Sequence, residues 1–192
     1  MKAARLLWVA GVGGVSAGAG AGYVLVATGA LAVDLNVGRR TRPLGPVHRR
    51  IAAPPAVVFD VIEGPYLDKT PHAMAAKLRV VERGSDMVLA EHFTPIGYGL
   101  RATTVEVVRF ERPSRVNFRL VRGPVPYVAE AFELAATDEG TALTYTGEIG
   151  ADLWAVGRWW TRVVGKRWEH AVEASLADIA QEAERRTDTT RT

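Results

Sequence analysis

Five polar side chains sit where their strand neighbours of the same parity are apolar: His92, Thr104, Glu106, Arg122 and Glu130. Alternate residues of a strand share a face. The face in question carries Val108, Phe110, Val116, Phe118, Leu120, Val128, Phe132 and Leu134, joined by Leu143, Tyr145 and Ile149. The opposite parity carries Arg101, Thr103, Arg109, Asn117, Arg119 and Glu133 and reads as a solvated face. Carboxyls and an imidazole on an apolar wall are groups that can exchange protons or orient a ligand's oxygen.

Hairpin register relates these residues to one another. A short turn at Arg112–Ser114 sets Phe110 opposite Val116, hence Glu106 opposite Leu120 and Thr104 opposite Arg122. A turn near Gly123–Val125 sets Leu120 opposite Glu130. Diagonal neighbours lie about 7–8 Å apart, within reach of long side chains. The register therefore predicts that Arg122 bridges Glu106 and Glu130, because lone charges on such a face are costly. Two readings of that group stand: a polar anchor for an otherwise apolar ligand, or a salt bridge where the open end of the sheet meets water. A one-residue bulge would turn Arg122 outward and dissolve the triad. His92 is either a general acid or base in a cavity or a residue of its rim. His48, His72 and His170 have no metal-ligand spacing, cysteine is absent, and no phosphate-binding glycine loop follows a strand, so no metal or cofactor is expected.

The elements that must position these residues can be read from turns and periodicity. Val47–Ala52 reads as a strand and Asn36–Pro46 as a linker. Pro55 opens a helix that Gly64-Pro65 closes, and Pro71 opens a second short helix reaching about Lys77. Six strands come next, at Leu78–Arg83, Met87–Thr94, Leu100–Glu111, Arg115–Arg122, Pro126–Ala135 and Thr141–Gly150, separated by Gly-, Pro-, Ser- and Asp-bearing turns. A long helix spans about Asp152–Arg186, with Val164, Trp168, Val172, Ser175, Ile179 and Ala183 as its apolar stripe. The tail 187–192 is polar and predicted to be disordered. Of Trp159 and Trp160, which point in different directions, at least one is predicted to be exposed or at a cavity mouth.

Composition narrows the class. With 192 residues, 48% hydrophobic, the chain accommodates one domain and an accessory segment. A net charge of +3, with no basic run interleaved with aromatics, gives no support to nucleic-acid binding. Nothing charged lies between Arg5 and Asp34, and residues 6–33 are long enough to cross a bilayer core of about 30 Å. This predicts a single membrane anchor within residues 1–35. A cleaved signal peptide ending near Ala30-Leu31-Ala32 is the alternative and would make the protein secreted. Arg39, Arg40 and Arg42 outweigh Lys2 and Arg5, which places the C-terminal domain in the cytoplasm. Gly14, Gly18 and Gly22 recur on one helix face and could support weak self-association, or arise simply from a glycine-rich composition.

The order of elements and three local segments resemble the SRPBCC superfamily, in particular its bacterial polyketide-cyclase and START-like members. The segments are Ile51-Ala52-Ala53-Pro54-Pro55-Ala56-Val57-Val58-Phe59, Phe110-Glu111-Arg112-Pro113-Ser114-Arg115-Val116 and Gly140-Thr141-Ala142-Leu143-Thr144-Tyr145. They mark turns and core positions and carry no catalytic signature. The resemblance implies an α+β helix-grip (START/Bet v 1-like) fold over 47–186, a curved antiparallel sheet of about seven strands around the long C-terminal helix. It also implies a cavity between them for a lipid, polyketide or other apolar molecule. His92, Thr104, Glu106, Arg122 and Glu130, with Tyr145 and Trp168, form the candidate ligand-binding set. The expected function is a membrane-tethered binding or carrier protein for a hydrophobic small molecule. A polyketide cyclase/dehydrase-type enzyme and a protein-interaction module with a collapsed cavity are the alternatives.

Overall fold

The structure, a computed structural model, describes residues 20–67 and 76–191. Seven strands form one antiparallel sheet in the order β1-β7-β6-β5-β4-β3-β2. They are β1 (Arg40–Ile51), β2 (Leu78–Arg83), β3 (Met87–Gly97), β4 (Leu100–Glu111), β5 (Arg115–Arg122), β6 (Tyr127–Thr137) and β7 (Gly140–Ala151). Helix α1 (Pro55–Glu63) and a 3-10 turn (Gly64–Tyr66) lead from β1 towards β2, and helix α2 (Trp154–Arg191) closes the chain.

Consecutive strands from β2 to β7 pair as a meander, which is what short polar turns between alternating strands produce. Return of the chain's first strand to pair with its last carries β1 to the far edge. Strands β3, β6 and β7 differ from the sequence reading by one to three residues at their ends, and β1 by more. β1 begins at Arg40, inside the stretch expected to be a linker, and holds Pro43 and Pro46. Both prolines are tolerated because β1 is an edge strand, where missing donors need not face a partner. The ladder shifts between Leu44 and Val47, where Gly45 adopts φ 76.

Alternation sorts the faces as expected. Val108, Val116, Leu143, Tyr145 and Ile149 are fully buried, and Val128, Phe132, Leu134, Phe118 and Leu120 nearly so. Helix α1 starts with Pro55 in its first turn and buries Val58, Phe59, Val61 and Ile62. The second short helix expected near 71–77 falls largely on residues outside the described ones.

Helix α2 packs against β1, β7 and α1. Its buried stripe is Val164, Val172, Leu176, Ala180 and Ala183, with Trp168 and Ile179 packed against it. Ser175, expected on that stripe, is exposed and returns its hydroxyl to the Ala171 carbonyl at 2.9 Å. Leu176, one residue on, takes the core position because four-residue steps from Trp168 through Val172 lead there. The helix also runs past residue 186, to Arg191, with Thr187 buried and bonded to the Ala183 carbonyl at 3.0 Å.

The membrane-anchor expectation is corrected, and with it the placement of the protein as a single-pass membrane protein. Among the described residues no helix is long and apolar enough to cross a membrane. The latter half of the expected span is helical only over 20–27 and then turns. It lies on the protein itself. Tyr23 stacks edge-on against Trp160 with centroids 5.7 Å apart, and the Thr28 carbonyl accepts the Thr103 N–H at 2.9 Å. Apolar length alone predicted a membrane span, but these residues find apolar and hydrogen-bonding partners on the domain. Asp152 secures the stretch from Leu35 to Arg39: its carboxylate accepts the N–H groups of Leu35 and Asn36 and the Arg39 guanidinium. Gly14 and Gly18 lie outside the described residues, and Gly22 has open space around it.

Candidate functional site

Two side-chain groups meet on the inner face of the sheet. The first is built on β3, β4 and the 3-10 turn. His92 and Thr104 are register partners, and Glu106 follows Thr104 on the same face. The Thr104 hydroxyl donates to Glu106 Oε1 at 2.6 Å. His92 Nδ1 lies 3.3 Å from Glu106 Oε2, buried and without an aligned hydrogen-bond partner, while Nε2 shares a 2.8 Å hydrogen bond with the Tyr66 hydroxyl. Tyr66 arrives here because Gly64-Pro65 tightens the end of α1 into a 3-10 turn. Arg83 holds that turn by donating to the Tyr66 and Leu67 carbonyls.

The second group joins β6, β7 and α2. Glu130 Oε2 accepts both the Tyr145 hydroxyl at 2.7 Å and the Trp168 indole N–H at 2.8 Å. This leaves Glu130 Oε1 without a hydrogen-bond partner among the described residues. Glu130 faces Gly147 across the ladder, where an added Cβ would meet the Glu130 Cβ at 2.9 Å. The glycine makes room for the carboxyl.

The two groups sense each other. Burial raises the Glu106 carboxyl to about 7, against the lowering pull of the Thr104 hydroxyl. Burial, reinforced by the charge of Glu106, raises Glu130 likewise, although Tyr145 and Trp168 pull it down. Desolvation lowers His92 to about 4, so its imidazole is neutral at neutral pH. The 3.3 Å contact is therefore an imidazole–carboxyl contact, not an ion pair. With Tyr66 on the far nitrogen, the ring stands between a phenol and a carboxyl. Tyr66 and Tyr145 are both held far above the ordinary phenol value, chiefly by burial, and serve as hydrogen-bond donors.

Arg122 is not part of this site. Glu106 does stand opposite Leu120, as the sequence implies, but the ladder then shifts and Val105 pairs with Arg122. Val121 is the extra residue of a bulge, and beyond it Arg122 adopts the outer parity. Its guanidinium donates to the Ala30 carbonyl at 2.9 Å and lines an outer groove of about 270 Å³ with Arg101, Glu91 and Thr103. Glu130 stands opposite Phe118, not Leu120. The predicted Arg122 bridge between the two carboxylates is thus overturned.

The structure brings His92, Thr104 and Glu106 together, and Glu130, Tyr145 and Trp168 together, leaving Arg122 outside. Tyr66 was missed by sequence reasoning because a 3-10 turn has neither the helical nor the strand period that assigns a face. Aromatic rings extend the wall: Tyr66 lies 5.5 Å from Phe110, and Phe118, Phe132 and Tyr145 form a tilted series. Of the two tryptophans at the start of α2, Trp159 is exposed. Trp160 is half-buried, its indole donating to the Pro124 carbonyl at 2.7 Å. Among the described residues no group of three His, Asp or Glu is placed to hold a metal ion.

Residues 46–184 match the family described as polyketide cyclase/dehydrase and lipid transport. No curated protein matches the chain. Among solved structures, the chain is similar to the Zhui aromatase/cyclase from Streptomyces sp. R1128, with 17% identity and a TM-score of 0.56 over 78% of this chain and 96% of that one. It is similar to the di-domain aromatase/cyclase StfQ of the steffimycin biosynthetic pathway, with 15% identity and a TM-score of 0.57, over 79% of this chain and 52% of that one. It is also similar to TTHA0849 from Thermus thermophilus, with 18% identity and a TM-score of 0.54 over 76% and 94%. At these identities the likeness is one of fold, the helix-grip arrangement of a curved sheet around a long C-terminal helix.

Proposed function

The chain belongs to the polyketide cyclase/dehydrase and lipid transport family, and from that premise we propose that it binds a largely apolar small molecule between the concave sheet and α2. One observation carries the reading. Two carboxyls, a neutral imidazole and two phenols occupy an otherwise apolar inner wall, and the imidazole keeps accessible surface: the His92 side chain is 22% exposed. Glu130, Phe110 and Trp168 are likewise only partly buried. These partly exposed side chains are the part of the inner face that a ligand can touch. A few convergent polar groups in an apolar, aromatic recess are the usual composition of a small-molecule site.

A second reading, cyclase or dehydratase chemistry, is favoured by the Tyr66–His92–Glu106 series. Such reactions move a proton off carbon and another onto a departing oxygen. Glu106, with His92 beside it, supplies a group of each protonation state near neutral pH.

Native mass spectrometry of the full chain, followed by solvent extraction, tests the binding reading. A co-purifying apolar mass, displaced from a Trp168→Ala variant, is the expected result. A bare protein mass that stays unchanged in a lipid and polyphenol extract would sink it. For any ligand found, conversion that is lost in His92→Ala while binding is kept points to the enzyme, and loss of affinity with no conversion in either form points to the carrier.

A further inference from the structure

The charge balance of the inner wall goes further than the binding reading, on which it rests. No arginine or lysine of the described residues is buried; the buried charged groups are Glu106 and Asp152, and Asp152 belongs to the N-terminal clasp. Among the described residues Glu106 has only the neutral His92 within ion-pair distance, and Glu130 has no ion-pair partner. Arg122, the cation that would have completed the set, is on the other side of the sheet.

Two neighbouring carboxyls on the inner face without a counter-cation are an unsatisfied arrangement. A buried charge is tolerated when it is paired, and otherwise takes up a proton. What is missing has the sign of a cation and the reach of a hydrogen-bond donor. Glu130 Oε1 offers it an open acceptor, since Tyr145 and Trp168 both use Oε2. Phe110 and Trp168, both only partly buried, supply aromatic surface for the rest of the guest. Above the values of the two glutamates a carboxylate guest would meet two like charges.

We propose that the recess selects guests bearing a protonated amine on an apolar or aromatic body, with Glu106 and Glu130 as its counter-charges, and rejects carboxylates. The ammonium donates to Glu130 Oε1 and stands between the two carboxyls. No covalent step is involved.

The test uses three probes of one skeleton, 4-phenylbutylamine, 4-phenylbutan-1-ol and 4-phenylbutanoate, titrated calorimetrically into the full chain at pH 8. The amine is expected to bind at least about tenfold more tightly than the alcohol, the gain of one well-placed charge pair, and the carboxylate at least about tenfold more weakly. In the Glu106→Gln/Glu130→Gln double variant the ratio of amine to alcohol affinity should fall to within about threefold. A cooperative unfolding transition and an unchanged far-ultraviolet circular dichroism spectrum show that the variant is folded. A carboxylate that binds as well as the alcohol, or an amine preference that survives the double variant, overturns the proposal and leaves the binding reading in place. Failure of all three probes overturns the proposal, and the native mass spectrum then decides the binding reading separately.

Discussion

Replacing Glu106 and Glu130 together by glutamine gives a measurable signature in stability against pH. The amide carbonyl of glutamine accepts the same bonds from Thr104, Tyr145 and Trp168, so the geometry is kept and only the titration is removed. Burial raises each carboxyl from its ordinary 4.5 to about 7. A raised folded value means that the folded state prefers the proton. The stabilisation is complete below pH 4.5 and is lost as pH climbs through about 7. At about 1.4 kcal/mol per pH unit and group, with mutual repulsion counted once, the wild type loses on the order of 4 kcal/mol between about pH 5 and about pH 8 from this pair. His92 slopes the other way. Its folded value is depressed from 6.5 to about 4, so its contribution is present above pH 6.5 and lost as pH falls towards 4. Wild-type stability alone mixes the two slopes, whereas the difference between variant and wild type cancels His92. Urea unfolding monitored by tryptophan fluorescence, at one-unit steps from about pH 5 to about pH 8, gives that difference. The variant should gain on the wild type by a few kcal/mol across the range. A difference flat to within about 1 kcal/mol would refute the claim that both carboxyls are buried without a compensating cation.

Three further outcomes are expected. Leu176→Ala should cost about 2–5 kcal/mol in thermal or urea unfolding, because the side chain is fully buried, while Ser175→Ala stays within about 0.5 kcal/mol. Equal effects would mean that the helix presents a different face. Arg122→Ala should lower stability by less than about 1 kcal/mol and leave probe affinity unchanged, since the guanidinium is exposed and reaches only Ala30; a lost ligand would return it to the inner wall. Asp152→Asn should cost about 1.5–3 kcal/mol and speed tryptic cleavage at Arg39 and Arg40, because the carboxylate holds Arg39 and the Leu35 and Asn36 amides. Its carboxyl is held below the ordinary value, chiefly by Arg39, so this contribution is lost as pH falls through that lowered value. Unchanged proteolysis would show that the clasp does not restrain the arm.

What could be read from the sequence was set by local period. Strand alternation from Val108 to Ile149 named the inner face correctly, because hydrophobic parity and burial are the same fact seen twice. Glu106 opposite Leu120 came from a tight turn only a few residues away. Arg122 failed because Val121 adds one residue beyond the counted stretch, and parity has no memory of an insertion. Residues 20–33 misled for another reason: composition reports that a segment is apolar, and not which apolar surface it will cover. Tyr66 was hidden by a turn of period three, and Asp152 by partners more than a hundred residues away.

Trp168 and Glu130 make α2 something more than a wall. The indole N–H and the Tyr145 hydroxyl share one carboxylate oxygen, so the helix is moored to the sheet at a point inside the recess. A charged guest on Oε1 shares that carboxylate with the helix, and whatever free energy links the two contacts acts equally in both directions. The Trp168 indole stands at the junction, so its fluorescence reports the arrival of a guest.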